Sequence, residues 1–142
     1  MAKGATFDND WLKLIFNAVN IASLADNTAT SPLTNLYVSL HTADPTASGN
    51  QSSSEANYTG YARVAVARTT GGWTVTTNSV SPASTISFPP CTGGTNTITN
   101  FAVGTASTGA GKILYTGTVS PNISVASGVT PQLTTATAIS ES

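Results

Sequence analysis

Residues 35–45 read NLYVSLHTADP, and the first seven of them alternate. Leu36, Val38 and Leu40 fall on one side of an extended chain while Tyr37, Ser39 and His41 fall on the other, the period of a half-buried strand. Asp44 and Pro45 then bring turn chemistry: a short carboxylate that accepts backbone N–H groups and a ring that fixes φ. The same stretch holds the chain's single histidine, so it poses a question of chemistry as well as of fold.

Downstream, TADPTASGNQSSSEANYTG (42–60) is too long for a hairpin turn and too polar for a core, which predicts a surface loop of the functional or mobile kind. Upstream, DNDWLKLIFNAVNIASLA predicts a helix over 8–25, with Asp8 as cap, Asp10 at the positive helix end and a stripe of Trp11, Leu14, Ile15, Ala18, Ala22 and Ala25. Leu12, Phe16 and Val19 widen that stripe, and a helix apolar on two sides wants two partners, its own sheet and another subunit. Asp26, Asn27 and the Ser31–Pro32 pair end it.

Beyond the loop the period stays at two. YARVAVART (61–69), WTVTT (73–77), a segment ending in TISFPP (85–90), NTITNFAVGT (96–105), KILYTGTV (112–119), NISVAS (122–127) and PQLTTATAIS (131–140) are short runs fenced by Gly or Pro, with TGG as the turn between the first two. About eight strands behind one helix favour an antiparallel β-sandwich over a parallel sheet, which needs helical crossovers. The expectation is a mainly β single domain over 1–142, its helix at about 8–25 and its sandwich at about 34–140, with a jelly roll or related Greek-key sandwich as first choice.

Composition narrows the function. The chain has 142 residues and a net charge of −1, and only 8% of it is charged, against about 25% in ordinary domains. Its basic residues Lys3, Lys13, Arg63, Arg68 and Lys112 are scattered, which argues against nucleic acid as a partner. No stretch reaches the roughly 18–20 apolar residues of a membrane span. Nothing resembles an export signal, so the sequons at Asn50, Asn57 and Asn122 read as coincidences of a chain rich in Asn, Ser and Thr. Cys91 stands alone, so there is no internal disulfide and no multi-Cys zinc site. A weakly charged surface is costly to keep soluble alone, and homo-oligomerisation is expected.

Individual candidates for chemistry fare poorly. His41 lacks companions for a metal centre, and no nucleophile elbow accompanies it. GTASTGAGK (104–112) imitates a phosphate-binding loop but has Ala106 and Ile113 where that pattern needs Gly and Ser or Thr, and a strand follows it. No catalytic, metal or cofactor-binding residue is therefore expected. Arg63 has two readings, solvent-facing or paired with Glu55 or a partner's carboxylate at an interface. Among the aromatic residues, Tyr58 and Tyr61 flank the end of the loop and are the preferred contact residues, while Tyr115 reads as packing. With the second helix face, the candidate interface residues are Trp11, Phe16, Glu55, Tyr58, Tyr61 and Arg63.

In sequence order, DNDWLKLIFNAVNIASLADN, LYVSLHTADP, GNQSSSEANYTGYARVAVART, GWTV and ITNFAVGTASTGAGKILYTG resemble a family of small structural proteins of tailed bacteriophages labelled tail-fibre-like or capsid cement proteins. The resemblance runs over nearly the whole chain. It implies a virion component made in the bacterial host cytoplasm. A capsid cement role follows from it: a dimer or trimer on the capsid exterior that bridges subunits of the major capsid protein. The alternative is a tail-associated receptor- or glycan-binding protein. No catalytic residue carries over from the family, and His41 and Asp44 then serve folding as a strand end and its turn.

Overall fold

A computed structural model describes residues 5–21 and 32–141. In chain order the elements are α1 (Ala5–Phe16), β1 (Asn35–His41), β2 (Val64–Ala67), β3 (Trp73–Thr76), β4 (Ser79–Pro82), β5 (Ile86–Ser87), β6 (Asn96–Gly104), β7 (Ile113–Val125), β8 (Gln132–Leu133) and β9 (Ile139–Ser140). The strands form sheets of order β2-β1-β6-β7, β3-β4-β9 and β5-β8. The β1–β6, β6–β7, β3–β4 and β4–β9 pairs are antiparallel. The described chain is thus mainly β with a single helix, as its periodicity predicts, an arrangement compatible with a jelly roll. Its contacts gather into two compact units, one from Met1–Asn35, Val66–Thr85 and Leu133–Ser142, the other from Leu36–Ala65 and Ile86–Gln132.

In the first unit α1 packs on β3 and β4. The line that it buries is Asp8, Leu12 and Phe16, spaced four residues apart, and the Phe16 ring meets Trp73 edge-on at 4.7 Å. The predicted main stripe is displaced by this: Trp11 remains 39% exposed, and Leu14 and Ile15 are half-buried. The helix also starts earlier than expected, which puts Asp8 inside its first turn rather than at the cap. It stops at Phe16, well before residue 25. The Lys13 carbonyl accepts both the Asn17 and Val19 N–H groups (2.9 and 3.1 Å), with Ala18 in the left-handed region at φ 54°. Arg68 takes the next two carbonyls, donating from Nη2 to Leu14 (2.7 Å) and from Nε to Ile15 (2.6 Å). Residues 22–25 of the expected helix, and Asp26, Asn27 and Ser31 at its expected end, lie outside the described residues.

β4 is a strand that sequence periodicity does not separate, because SVSP offers one large apolar side chain, Val80, among small ones. It pairs along β3 from Trp73↔Pro82 to Thr76↔Ser79. In the second unit the expected strands at 112–119 and 122–127 are one element, β7. Its register against β6 moves from Asn100↔Thr118 to Ile98↔Ile123, so residues 119–122 bulge out of the ladder and Pro121 is not asked for the N–H it lacks. β1 pairs with β6 through Val38↔Val103 and Leu40↔Phe101, and Leu36, Val38 and Leu40 are buried as predicted. Ser39 and His41 are fully buried as well. The predicted half-buried strand is in fact covered on both faces, and the cover for its polar face comes from the loop that follows it.

Candidate functional site

The 42–60 loop folds back along β1 instead of standing off in solvent. Its return is held by the Thr42 N–H to the Ser54 carbonyl (2.9 Å) and the Ala56 N–H to the Leu40 carbonyl (2.8 Å). At the turn, Asp44 Oδ1 accepts the Thr46 N–H at 2.9 Å, the role its sequence position predicts. His41 then lies between strand and loop. Its Nδ1–H donates to the Ser53 carbonyl (2.8 Å), which leaves Nε2 to accept the Ser39 hydroxyl (2.9 Å). Burial lowers the pKa of this imidazole and keeps it neutral. Both nitrogens are occupied, and no group of three metal-capable side chains occurs among the described residues.

Gln51 carries the loop's middle. It is fully buried; its Nε2 donates to the Tyr37 carbonyl (3.1 Å) and its Oε1 accepts the Ala106 N–H (3.1 Å). The backbone joins in, Gln51 N–H donating to the Gly111 carbonyl at 2.9 Å. A Cβ on Gly104 or on Gly111 would fall 2.2 Å from Gln51 side-chain atoms, so these two positions must be glycine for the amide to pass. The loop that imitates a phosphate-binding sequence is therefore a clamp for Gln51. Sequence reasoning missed Gln51, and the two glycines at 104 and 111 were the available sign of close approach.

Glu55, Tyr61 and Arg63, three of the six sequence candidates, come together. Arg63 grips the Glu55 carboxylate in a two-pronged bond, Nε to Oε1 at 2.6 Å and Nη2 to Oε2 at 2.8 Å. It also donates to the Ala106 (2.9 Å) and Gly109 (2.7 Å) carbonyls of the clamp. Only 2% of the Arg63 side chain is exposed, against 18% for Glu55. The paired reading of Arg63 is the one observed, with its partner inside the same chain. The carboxylate bond raises the Arg63 pKa. Tyr61 Oη donates to Glu55 Oε1 (2.9 Å) and accepts the Leu40 N–H (3.1 Å), and burial drives its pKa upward.

The remaining candidates take no part in this hydrogen-bond network. Tyr58 is buried at 3% exposure, packs edge-on against Tyr61 with ring centroids 5.4 Å apart and donates to the Pro89 carbonyl at 2.8 Å. Phe16 is fully buried against Trp73. Both side chains are spent on internal packing. Trp11 is the candidate that stays on the surface of its unit.

Beside the loop's tip lies an open cleft of about 480 Å³, lined by residues 44, 46, 47 and 49 of the loop and 112–116 at the start of β7. Charge, hydroxyl and apolar groups share it: Asp44 and Lys112, Thr46 and Thr116, Ile113, Leu114 and Tyr115. None of these was singled out as a site from sequence, since segments about seventy residues apart meet there only once the loop is pinned.

No helix is long and apolar enough to cross a membrane among the described residues. A comparison with characterised proteins returns no match. The family described as podophage GP4 fiber I protein gp80 matches residues 7–139, a span that takes in most of α1, the pinned loop, the clamp and the cleft. A match over nearly the whole chain makes it a member of that family, and with it a structural protein of bacteriophages.

Proposed function

We propose that this chain is a fibre-associated structural component at the phage tail, acting as a dimer or trimer through adhesion and not through catalysis. The observation that carries this reading is the match to a fibre protein family across residues 7–139. The geometry supports it. Groups that in another setting would do proton or charge chemistry are spent internally: His41 is held by the Ser39 hydroxyl and the Ser53 carbonyl, while Arg63 and Glu55 hold each other and Arg63 the Ala106 backbone. What the surface offers instead is a neutral, hydroxyl-rich skin, suited to contacts whose strength changes little with salt. Adhesion of this kind gains from repetition, because linked copies bind with a raised effective concentration.

A density map of intact particles tests the proposal. The protein is expected at the tail, and density spread over the shell would replace this reading with the capsid cement one, in which it bridges major capsid protein subunits. Light scattering on the purified chain checks the association, and a monomer at all concentrations would remove the oligomer from the proposal.

A further inference from the structure

We propose that the outer edge of β7, over Ile113–Ser120, pairs antiparallel with the same edge of a second copy of this chain. The joint rests on the association proposed above and gives it a surface and a symmetry.

A strand at the edge of a sheet presents unpaired N–H and C=O groups, and proteins blunt such edges by keeping them short or by setting charged residues and proline along them. In the β2-β1-β6-β7 sheet, β2 has four residues and lies between Arg63 and Arg68, so that edge is guarded. The end strands of the other sheets, β3, β9, β5 and β8, have four residues or two. β7 is different: it runs for thirteen residues as the outermost strand of its sheet. Its first part, ILYTGTVS (113–120), contains neither a charge nor a proline. Among the described residues, no backbone hydrogen bond outside the β6–β7 ladder reaches Ile113–Val125.

The edge is also held straight before any partner arrives. β7 keeps register with β6 from Val103↔Tyr115 to Asn100↔Thr118. Gly117, the weak point of such a strand, is covered by the Phe101 ring, into which a Cβ at that position would run. Thr116 and Thr118 share one face of the strand and are exposed.

A second copy fits this edge better than a foreign strand because pairing with it closes. A twofold axis perpendicular to the sheet joins two four-stranded sheets into one whose two ends are both β2, so only guarded edges remain. The antiparallel direction sets the two Lys112 residues at opposite ends of the joint, where a parallel one would set them side by side. The irregularity at 119–122, with Pro121, ends the pairing beyond Ser120. About this axis Thr116 and Thr118 of both copies line one face of the joint, where their hydroxyls meet across the strands.

Sedimentation velocity on the full chain tests the joint, comparing the parent with Thr116→Lys/Thr118→Lys, which gathers four ammonium groups across it. The parent is expected as a dimer and the double Lys variant as a monomer with unchanged circular dichroism, its dissociation constant raised about tenfold or more. Mixing that variant with Thr116→Glu/Thr118→Glu is expected to restore a dimer of one copy of each. If a double variant misfolds, hydrogen exchange on the parent decides: successive amides of 114–119 are slow in the paired state, whereas an open edge leaves alternate ones fast. A parent dimer that persists in the double Lys variant, or alternate fast amides in the associated parent, overturns the β7 joint and leaves association to another surface. A parent trimer overturns it as well, since twofold pairing closes at two. A parent that stays monomeric at every concentration removes the association together with the joint, and tail location is read separately from the particle map.

Discussion

Arg63 and Arg68 bracket the four-residue strand β2 and serve opposite kinds of site. Arg63, in the second unit, meets a carboxylate and two carbonyls. Arg68, in the first, has carbonyl acceptors from Leu14, Ile15 and Leu33, the first two at the negative end of α1. Their pKa values move apart accordingly: the bond to Glu55 raises that of Arg63, while burial lowers that of Arg68. A formal negative charge compensates for lost water, whereas carbonyl dipoles do so only in part. One arginine thus joins distant segments by charge, and the other finishes a helix that has run out of internal partners.

The largest effect that breaks this contrast is expected from Arg63→Met. It leaves Glu55 buried without its cation and frees the 104–112 clamp. Because the carboxylate retains some contact with water, the lower end of the range for broken buried pairs applies, about 3 kcal/mol. Hydrogen exchange on β1 and on the 42–60 loop reads it, and unchanged protection there would show that the pair is incidental. Arg68→Met is expected to cost less, about 1–2 kcal/mol, as a helix-end cap with charge-assisted hydrogen bonds. Its loss of protection should be confined to the last turn of α1, and spreading into β1 or β6 would contradict the separate roles.

The smallest effect is one of pH. The fold favours the neutral His41 ring, so its folded pKa lies below the unfolded value of 6.5. Between those two values the unfolded chain binds more protons, and stability therefore rises with pH through that window. The contribution is complete above about pH 6.5 and falls away as pH drops through that value toward the lower folded pKa. Denaturant titrations at descending pH should show this slope, and His41→Gln should flatten it. A slope that survives the substitution would assign it to another group.

Much of the scaffold was readable from residue order. The alternation in NLYVSLH placed Leu36, Val38 and Leu40 inside, and the Asp44 turn formed as its chemistry requires. What could not be read was who covers a polar face. Ser39 and His41 look solvent-facing because alternation records polarity, and a polar residue with every hydrogen bond met inside gives the same letter as one facing water. Gln51 is the extreme case, a fully buried amide in a run of Ser and Asn. The helix was overextended for a related reason: its last carbonyls are taken by Arg68, more than fifty residues away, and the left-handed residue that ends it is Ala18, where a glycine would have been the readable sign. The cleft depends on both segments being in place, so neither half announces it.

The stitching of Gln51 to the backbone of Tyr37, Ala106 and Gly111, and of Glu55 to the Tyr61 and Arg63 side chains, has a practical outcome. Thr46, Ala47 and Ser48 are exposed between anchor points that do not use their side chains for the core. That short tip is a natural grafting position, where a foreign peptide or an altered recognition surface can be mounted while Gln51 and Glu55 keep the frame beneath it rigid.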